Sequence, residues 1–182
     1  MGLIPHRSFG GFMKIALVGE VILKTPALPV ETSDIVSESC QSFISSLMQT
    51  MLNAKGIGIA APQVFDSRAI MIIASRPNER YPTAPLMDPL VLINPTITHY
   101  SEAQTKDWEG CLSVPSLRGK IKRSAWVDVQ FQDCEGTLQQ RRFEDFVARI
   151  FQHEYDHLIG KTWLDHIESA DDIVAETVLL KK

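Results

Sequence analysis

The stretch from Ala125 to Gly160 constrains the fold of this chain more than any other, because its apolar period switches once, from strand to helix. Ala125, Val127, Val129 and Phe131 alternate with Asp128 and Gln130, the pattern of a strand buried on one face. Asp133-Cys134-Glu135-Gly136 reads as a turn and residues 137–143 as the returning strand, which makes a hairpin. Phe146, Ile150, His153 and His157 then recur at helical spacing, so they share one face of a helix that Gly160 ends.

That helix spells Gln152-His153-Glu154-Tyr155-Asp156-His157. Histidines four apart lie on one face about one turn apart, so His153 and His157 can grip one metal ion. Glu154 stands next to them, where a carboxylate can work on water at the metal. Most histidine pairs at this spacing are surface or satisfied core residues. Phe146 and Ile150 on the same face count against that here, because a buried imidazole pair needs a partner for its polar atoms. The pattern indicates metal-assisted hydrolysis and leaves the third ligand to be found.

Composition narrows the setting. A chain of 182 residues, 45% hydrophobic and 22% charged, fits one globular domain over 1–182 with its own core. The formal charge of −4 and the scatter of Lys and Arg lack the footprint of a nucleic-acid binder. No apolar run approaches the roughly 20 residues that cross a bilayer. The first dozen residues carry no sustained apolar segment, which argues against a signal peptide. Met13-Lys14 is an alternative start that would leave 1–12 as a flexible N-terminal extension. Three widely spaced cysteines, Cys40, Cys111 and Cys134, argue against a disulfide framework and for a reducing, cytoplasmic setting.

Elsewhere the pattern predicts a short strand over Ile15–Val18. A helix follows from Asp34, with Val36, Cys40, Phe43, Leu47 and Met51 as its stripe, Ser33 or Asp34 as its cap and Gly56 as its end. Strands are expected over 69–74 and over 90–93, the latter closed by Asn94-Pro95, with a long surface loop over 75–88. Ser169-Ala170-Asp171-Asp172 resembles a capping box opening a short last helix. The sum is an α+β fold, with antiparallel or mixed sheets packed around a central helix that carries the metal motif.

Several residues compete to be the third ligand. One metalloprotease class continues His-x-x-Gly-x-x-His, and Gly160 fits it, but Trp163 stands where the last histidine belongs and His166 lies too far on. A second class uses a downstream glutamate, which leaves Glu176 open. Cys111, within Glu109-Gly110-Cys111-Leu112-Ser113-Val114-Pro115, is a soft donor suited to zinc or ferrous iron, and its neighbours suggest irregular exposed backbone. A further segment, Gly56-Ile57-Gly58-Ile59-Ala60-Ala61-Pro62-Gln63-Val64, lacks the Lys-Ser/Thr of a phosphate loop and offers one side-chain amide, Gln63.

Taken together and in order, Gly-x-Gly-x-Ala-Ala-x-Gln, Glu-Gly-Cys-Leu-Ser and Gln-His-Glu-x-x-His resemble the three signature motifs of the peptide deformylases. The resemblance extends over about Met13 to Asp165. It implies a hydrolase of protein biosynthesis that removes the formyl group from N-formylmethionyl nascent chains, a co-translational N-terminal processing step that releases formate. Cys111, His153 and His157 would bind one divalent ion, Fe(2+) in the typical member, with Zn(2+), Ni(2+) or Co(2+) able to occupy such sites. Hydroxide generated at the metal would attack the formyl carbon, with Glu154 as general acid and base. The resemblance also implies that Gln63 and the backbone N–H of Leu112 form the oxyanion hole. The backbone of Ile57, Gly58 and Gly110 would pair with the substrate, and Ile57, Phe146, Ile150 and His153 would wall the methionine pocket.

A Glu109–Arg149 ion pair is expected to orient the metal loop. Ile59 and Pro62 are conservative variants in the first motif, the loop over 75–88 has no clear counterpart, and with the sequence stopping at Lys182 any extended helix for docking to a ribosome is expected to be short or absent; transient proximity to the ribosome is compatible with the resemblance. Two other readings compete: a zinc metallopeptidase with Glu176 as ligand, and a non-catalytic binder of formylated peptides or metal.

Overall fold

The computed structural model describes residues 12–77, 81–179 and 181. The expected extension over 1–12 falls almost wholly outside these residues, as do part of the 75–88 loop and the chain's last residue.

Among the described residues eight strands form two antiparallel sheets. β1 (Gly58–Ala60), β2 (Ile70–Ser75), β3 (Met87–Tyr100), β6 (Trp126–Gln132) and β7 (Leu138–Glu144) make the first sheet in that order. β4 (Gln104–Cys111), β5 (Val114–Ser124) and β8 (Ile173–Ala175) make the second. Two longer helices, α2 (Glu38–Asn53) and α3 (Asp145–Leu158), accompany single turns α1 (Thr32–Ile35) and α4 (Glu176–Leu179). No helix among the described residues is long and apolar enough to cross a membrane.

The unbroken run Ile70-Met71-Ile72-Ile73 shows how the layers stack. Successive strand residues point to opposite faces, so Ile70 and Ile72 join the core under α2 with Ile44, Leu47 and Met51. Met71 and Ile73 join the core under α3 with Ala148, Phe151 and Leu158. A strand with a helix on each face has no polar side, and all four residues are fully buried. α3 presents its other side to the second sheet, where Gln152 Nε2 donates to Ser124 O (2.9 Å) and Arg149 Nη1 to Ile121 O (2.9 Å). It is the central helix expected.

Several local expectations are corrected. Residues 15–18 form no strand, because their backbone finds only isolated partners: Ala16 N–H donates to Gln63 O and Val18 N–H to Ser113 O. The main helix is capped by Ser37, whose Oγ accepts from Cys40 N–H (3.2 Å), so Val36 lies outside it and is exposed. At its far end Lys55, not Gly56, takes the left-handed conformation (φ 54°). Gly56 N–H then reaches Met51 O and Lys55 N–H reaches Leu52 O, a Schellman closure. β3 runs through Asn94-Pro95 rather than ending there. Its register shifts between Ile93 and Thr96, and this bulge accommodates a proline that cannot donate. Ser169 caps a short 3₁₀ turn (Ala170–Asp172) leading into β8, not a helix.

Candidate active site

The β4–β5 hairpin delivers the sulfur. Cys111 is the last residue of β4 and pairs with Val114 across the tight turn Leu112-Ser113; the register jumps there from Gly110–Arg118 to Cys111–Val114, so the expected irregular backbone is present as a bulge within a hairpin. α3 delivers both imidazoles from one face. Cys111, His153 and His157 place one donor atom each within 4.8 Å of one another, and among the described residues they are the group able to hold a metal. Cys111 Sγ lies 3.3 Å from His157 Nε2. Glu176 is not part of the group: its Oε1 accepts from Arg118 Nη2 at 2.7 Å. His166 lies instead against Asp156, 2.9 Å away.

The donors are prepared for an ion. Burial would raise the Cys111 thiol, but the neighbouring His157 and His153 outweigh it and hold the group well below the usual thiol range. Sγ also accepts from Ser113 N–H (3.4 Å) and Gln63 Nε2 (3.6 Å), as a thiolate should. His153 Nδ1 is engaged by Glu109 Oε2 at 2.9 Å, which leaves Nε2 to face the other donors. One thiolate and two imidazoles are a fitting set for a catalytic divalent ion with a position left for substrate.

Behind this group lies a buried charge network. Glu109 accepts from Arg123 Nε and Nη2 and from Arg149 Nη1, each at 2.9 Å, while Arg123 Nη1 donates to Asp156 Oδ2 at 2.7 Å. Burial pushes the Glu109 carboxyl up, yet Arg123 and the hydrogen bond to His153 win and hold it far below the carboxylate range. The expected Glu109–Arg149 pair is present. Arg123 and Asp156 were not foreseen. Arg123 shares strand parity with Gly119 and Ile121, and that parity was the only available sign that it points inward.

Glu154 and Gln63 flank the donors. Glu154 is 4% exposed, and burial, opposed by His153 and His157, pushes its carboxyl up to about 7. Its Oε2 finds no hydrogen-bond partner among the described residues. Gln63, on a 3₁₀ turn (Ala61–Val64), is buried; Oε1 accepts from Ala60 N–H (2.9 Å) and Nε2 donates to Ser113 Oγ (3.1 Å). A cleft of about 320 Å³ opens over these groups. Ile57, Phe146 and Ile150 form its apolar lining, and Gly58, Gly110 and Leu112 bring backbone to it. Among the described residues both β1 and β4 are sheet edges, so the cleft is bounded there by open strand edges.

The family model for polypeptide deformylase matches residues 12–172. The chain belongs to that family. Peptide deformylase 2 of Nostoc sp. is 44% identical over 164 residues, covering 90% of each chain. Peptide deformylase 2 of Shewanella oneidensis is 48% identical over 153 residues, 84% of this chain and 83% of that one. Among solved structures, a class I type b peptide deformylase from Acinetobacter baumannii with Met-Ala-Ser bound superposes with a TM-score of 0.84 at 42% identity, covering 86% of this chain and 98% of that one. A peptide deformylase from Synechococcus elongatus in complex with actinonin gives a TM-score of 0.77 at 32% identity, covering 88% and 83%. The deformylase family thus agrees with the reading of the three motifs, and the α+β fold with the reading of the strand and helix periods.

Proposed function

We propose that this deformylase removes the formyl group from N-formylmethionyl nascent peptides, with Cys111, His153 and His157 holding one divalent ion. The observation that carries this reading is the convergence of those three donors with Glu154 and Gln63 at the base of a cleft between two open strand edges. When bound, the ion supplies Lewis acidity that makes water nucleophilic near neutral pH. Ferrous iron is the proposed working ion; zinc, nickel and cobalt suit the same sulfur and nitrogen donors.

Glu154 takes a proton from the attacking water and returns it to the methionine nitrogen as the C–N bond breaks, giving formate and a free amine. Burial holds that carboxyl above its usual value, which favours its taking up the proton, and such a transfer contributes roughly 10²–10⁴-fold. Gln63 Nε2 and the N–H of Leu112 donate to the formyl oxygen as it gains charge, each donor worth about 2.7–4 kcal/mol. The methionine side chain lies against Ile57, Phe146, Ile150 and His153.

The peptide backbone adds as a strand between β1 and β4. Ile57 O already accepts from Ala74 N–H (2.7 Å), so by strand alternation Gly58 is the residue of β1 that offers its backbone to the cleft, opposite Gly110. Action on nascent chains, together with free thiols, supports a cytoplasmic location with transient proximity to the ribosome.

The competing peptidase reading needs Glu176 at the metal, and the Arg118 ion pair speaks against it. Formate release settles the matter: metal-loaded protein should release formate from formyl-Met-Ala-Ser and leave acetyl-Met-Ala-Ser intact. Internal cleavage of peptides without formate would overturn the proposal.

A further inference from the structure

The segment between β2 and β3 brings to the cleft an aromatic ring that none of the three motifs supplies. Tyr81 opens a tight turn, Tyr81-Pro82-Thr83-Ala84, closed by the hydrogen bond from Ala84 N–H to Tyr81 O (3.2 Å). Proline at the second position presets the backbone of such a turn, and Ala84 at its end is buried. The backbone that carries the ring is therefore ordered before any substrate arrives. The half-buried ring tilts against Phe146, with centroids 4.9 Å apart and planes at 54°. Tyr81 Oη accepts from Arg118 Nη1 at 2.8 Å, and that guanidinium lies over Gly110, whose added Cβ would meet it. The ring thus lines the cleft between the apolar surface at α3 and the strand edge at Gly110. Its hydroxyl is turned to Arg118, so the side it offers Phe146 is carbon.

Resting on the deformylase reading, we propose that Tyr81 is a specificity-determining residue, forming with Phe146 the wall that limits the methionine pocket in size. Methionine is unbranched and flexible, and its thioether makes favourable contacts with the edges of aromatic rings. A pair of rings held at fixed separation suits such a chain. It disfavours a bulkier one, which would have to push a ring from its place. Removing the Tyr81 ring takes apolar wall from methionine and makes room for an aromatic side chain.

The test compares kcat/KM for formate release from formyl-Phe-Ala-Ser and formyl-Met-Ala-Ser. Tyr81→Ala should raise the Phe-to-Met ratio about tenfold over the unsubstituted protein, the size of effect that small changes of pocket volume produce. Its loss with the methionine peptide should fall on KM rather than kcat, as when binding is weakened equally before and in the transition state. Tyr81→Phe keeps the ring and should hold the ratio near its starting value, and Tyr81→Trp should lower it. Tyr81→Leu keeps apolar packing beside the turn and should raise the ratio by a smaller factor, a check that survives if Tyr81→Ala folds poorly. Formate release with the ratio unchanged in Tyr81→Ala and Tyr81→Leu overturns this proposal alone, as does a ratio moved as far by Tyr81→Phe as by Tyr81→Ala. Absence of formate from both peptides with the unsubstituted protein overturns the deformylase reading and this proposal with it.

Discussion

The carboxylate of Glu154 occupies the space that a Cβ on Gly58 would fill, Oε1 being the atom it would overlap. Gly58 thus does two things at once. It offers strand-edge backbone to the cleft, and it leaves room for the proposed base to sit against β1. Gly58→Ala should displace the carboxylate without touching a metal ligand. Small misplacements of a catalytic group cost about 10²-fold, so kcat should fall by about that factor with metal content unchanged, measured by formate release and metal assay.

Arg123 links Glu109 and Asp156 with all three groups buried. Replacing it by methionine leaves Glu109 to Arg149 and His153, and Asp156 to His166, each buried carboxylate one cation short. Breaking a buried pair in this way costs about 3–5 kcal/mol. Urea unfolding should show that loss in the variant, whereas Lys122→Met, on the exposed face of the same strand, should change stability by less than about 0.5 kcal/mol.

The β6–β7 turn carries a pH-dependent contribution. Asp133 accepts from Glu135 N–H, Thr137 N–H and Gln139 Nε2. Partial desolvation would raise its carboxyl, but these hydrogen bonds, that of Thr137 first, hold it below the usual value. A depressed folded-state value means the contribution is present above the unfolded value of about 3.9 and is lost as pH falls through the folded one. The difference in urea midpoint between Asp133→Asn and the unsubstituted protein should therefore be largest near pH 7 and fade below about pH 4.

The hairpin and helix of residues 125–160 were legible because their inward positions are apolar at the proper period: Val127, Val129 and Phe131 are at most 2% exposed. The β4–β5 hairpin carried no such signal. Beside the apolar Val114 and Ile121, its buried positions hold Glu109, Arg118 and Arg123, charged residues that are buried because each is paired. Cys111 could be singled out, but not the bulged hairpin that carries it. Ser33, Asp34 and Ser37 are all competent caps, and only the tertiary position of α1 selects Ser37. The metal motifs were readable since chemistry fixes their spacing; the Arg118–Glu176 pair was not, because nothing local joins β5 to the chain's end.

The identity of the ion has a simple signature. Loaded with ferrous iron, the protein should lose activity in air as iron and the Cys111 thiolate oxidise, while a zinc-loaded sample should keep what activity it has. Parallel assays of formate release before and after air exposure distinguish the two. Equal decay of both would place the damage elsewhere than at the metal.

One paired measurement on Glu154→Gln tests the proposed role of Glu154. Bound metal and formate release from formyl-Met-Ala-Ser are to be read on the same sample. Retention of one ion per chain with formate release reduced by at least about 10²-fold is the predicted result. Turnover close to that of the unsubstituted protein, with the ion still bound, would contradict it.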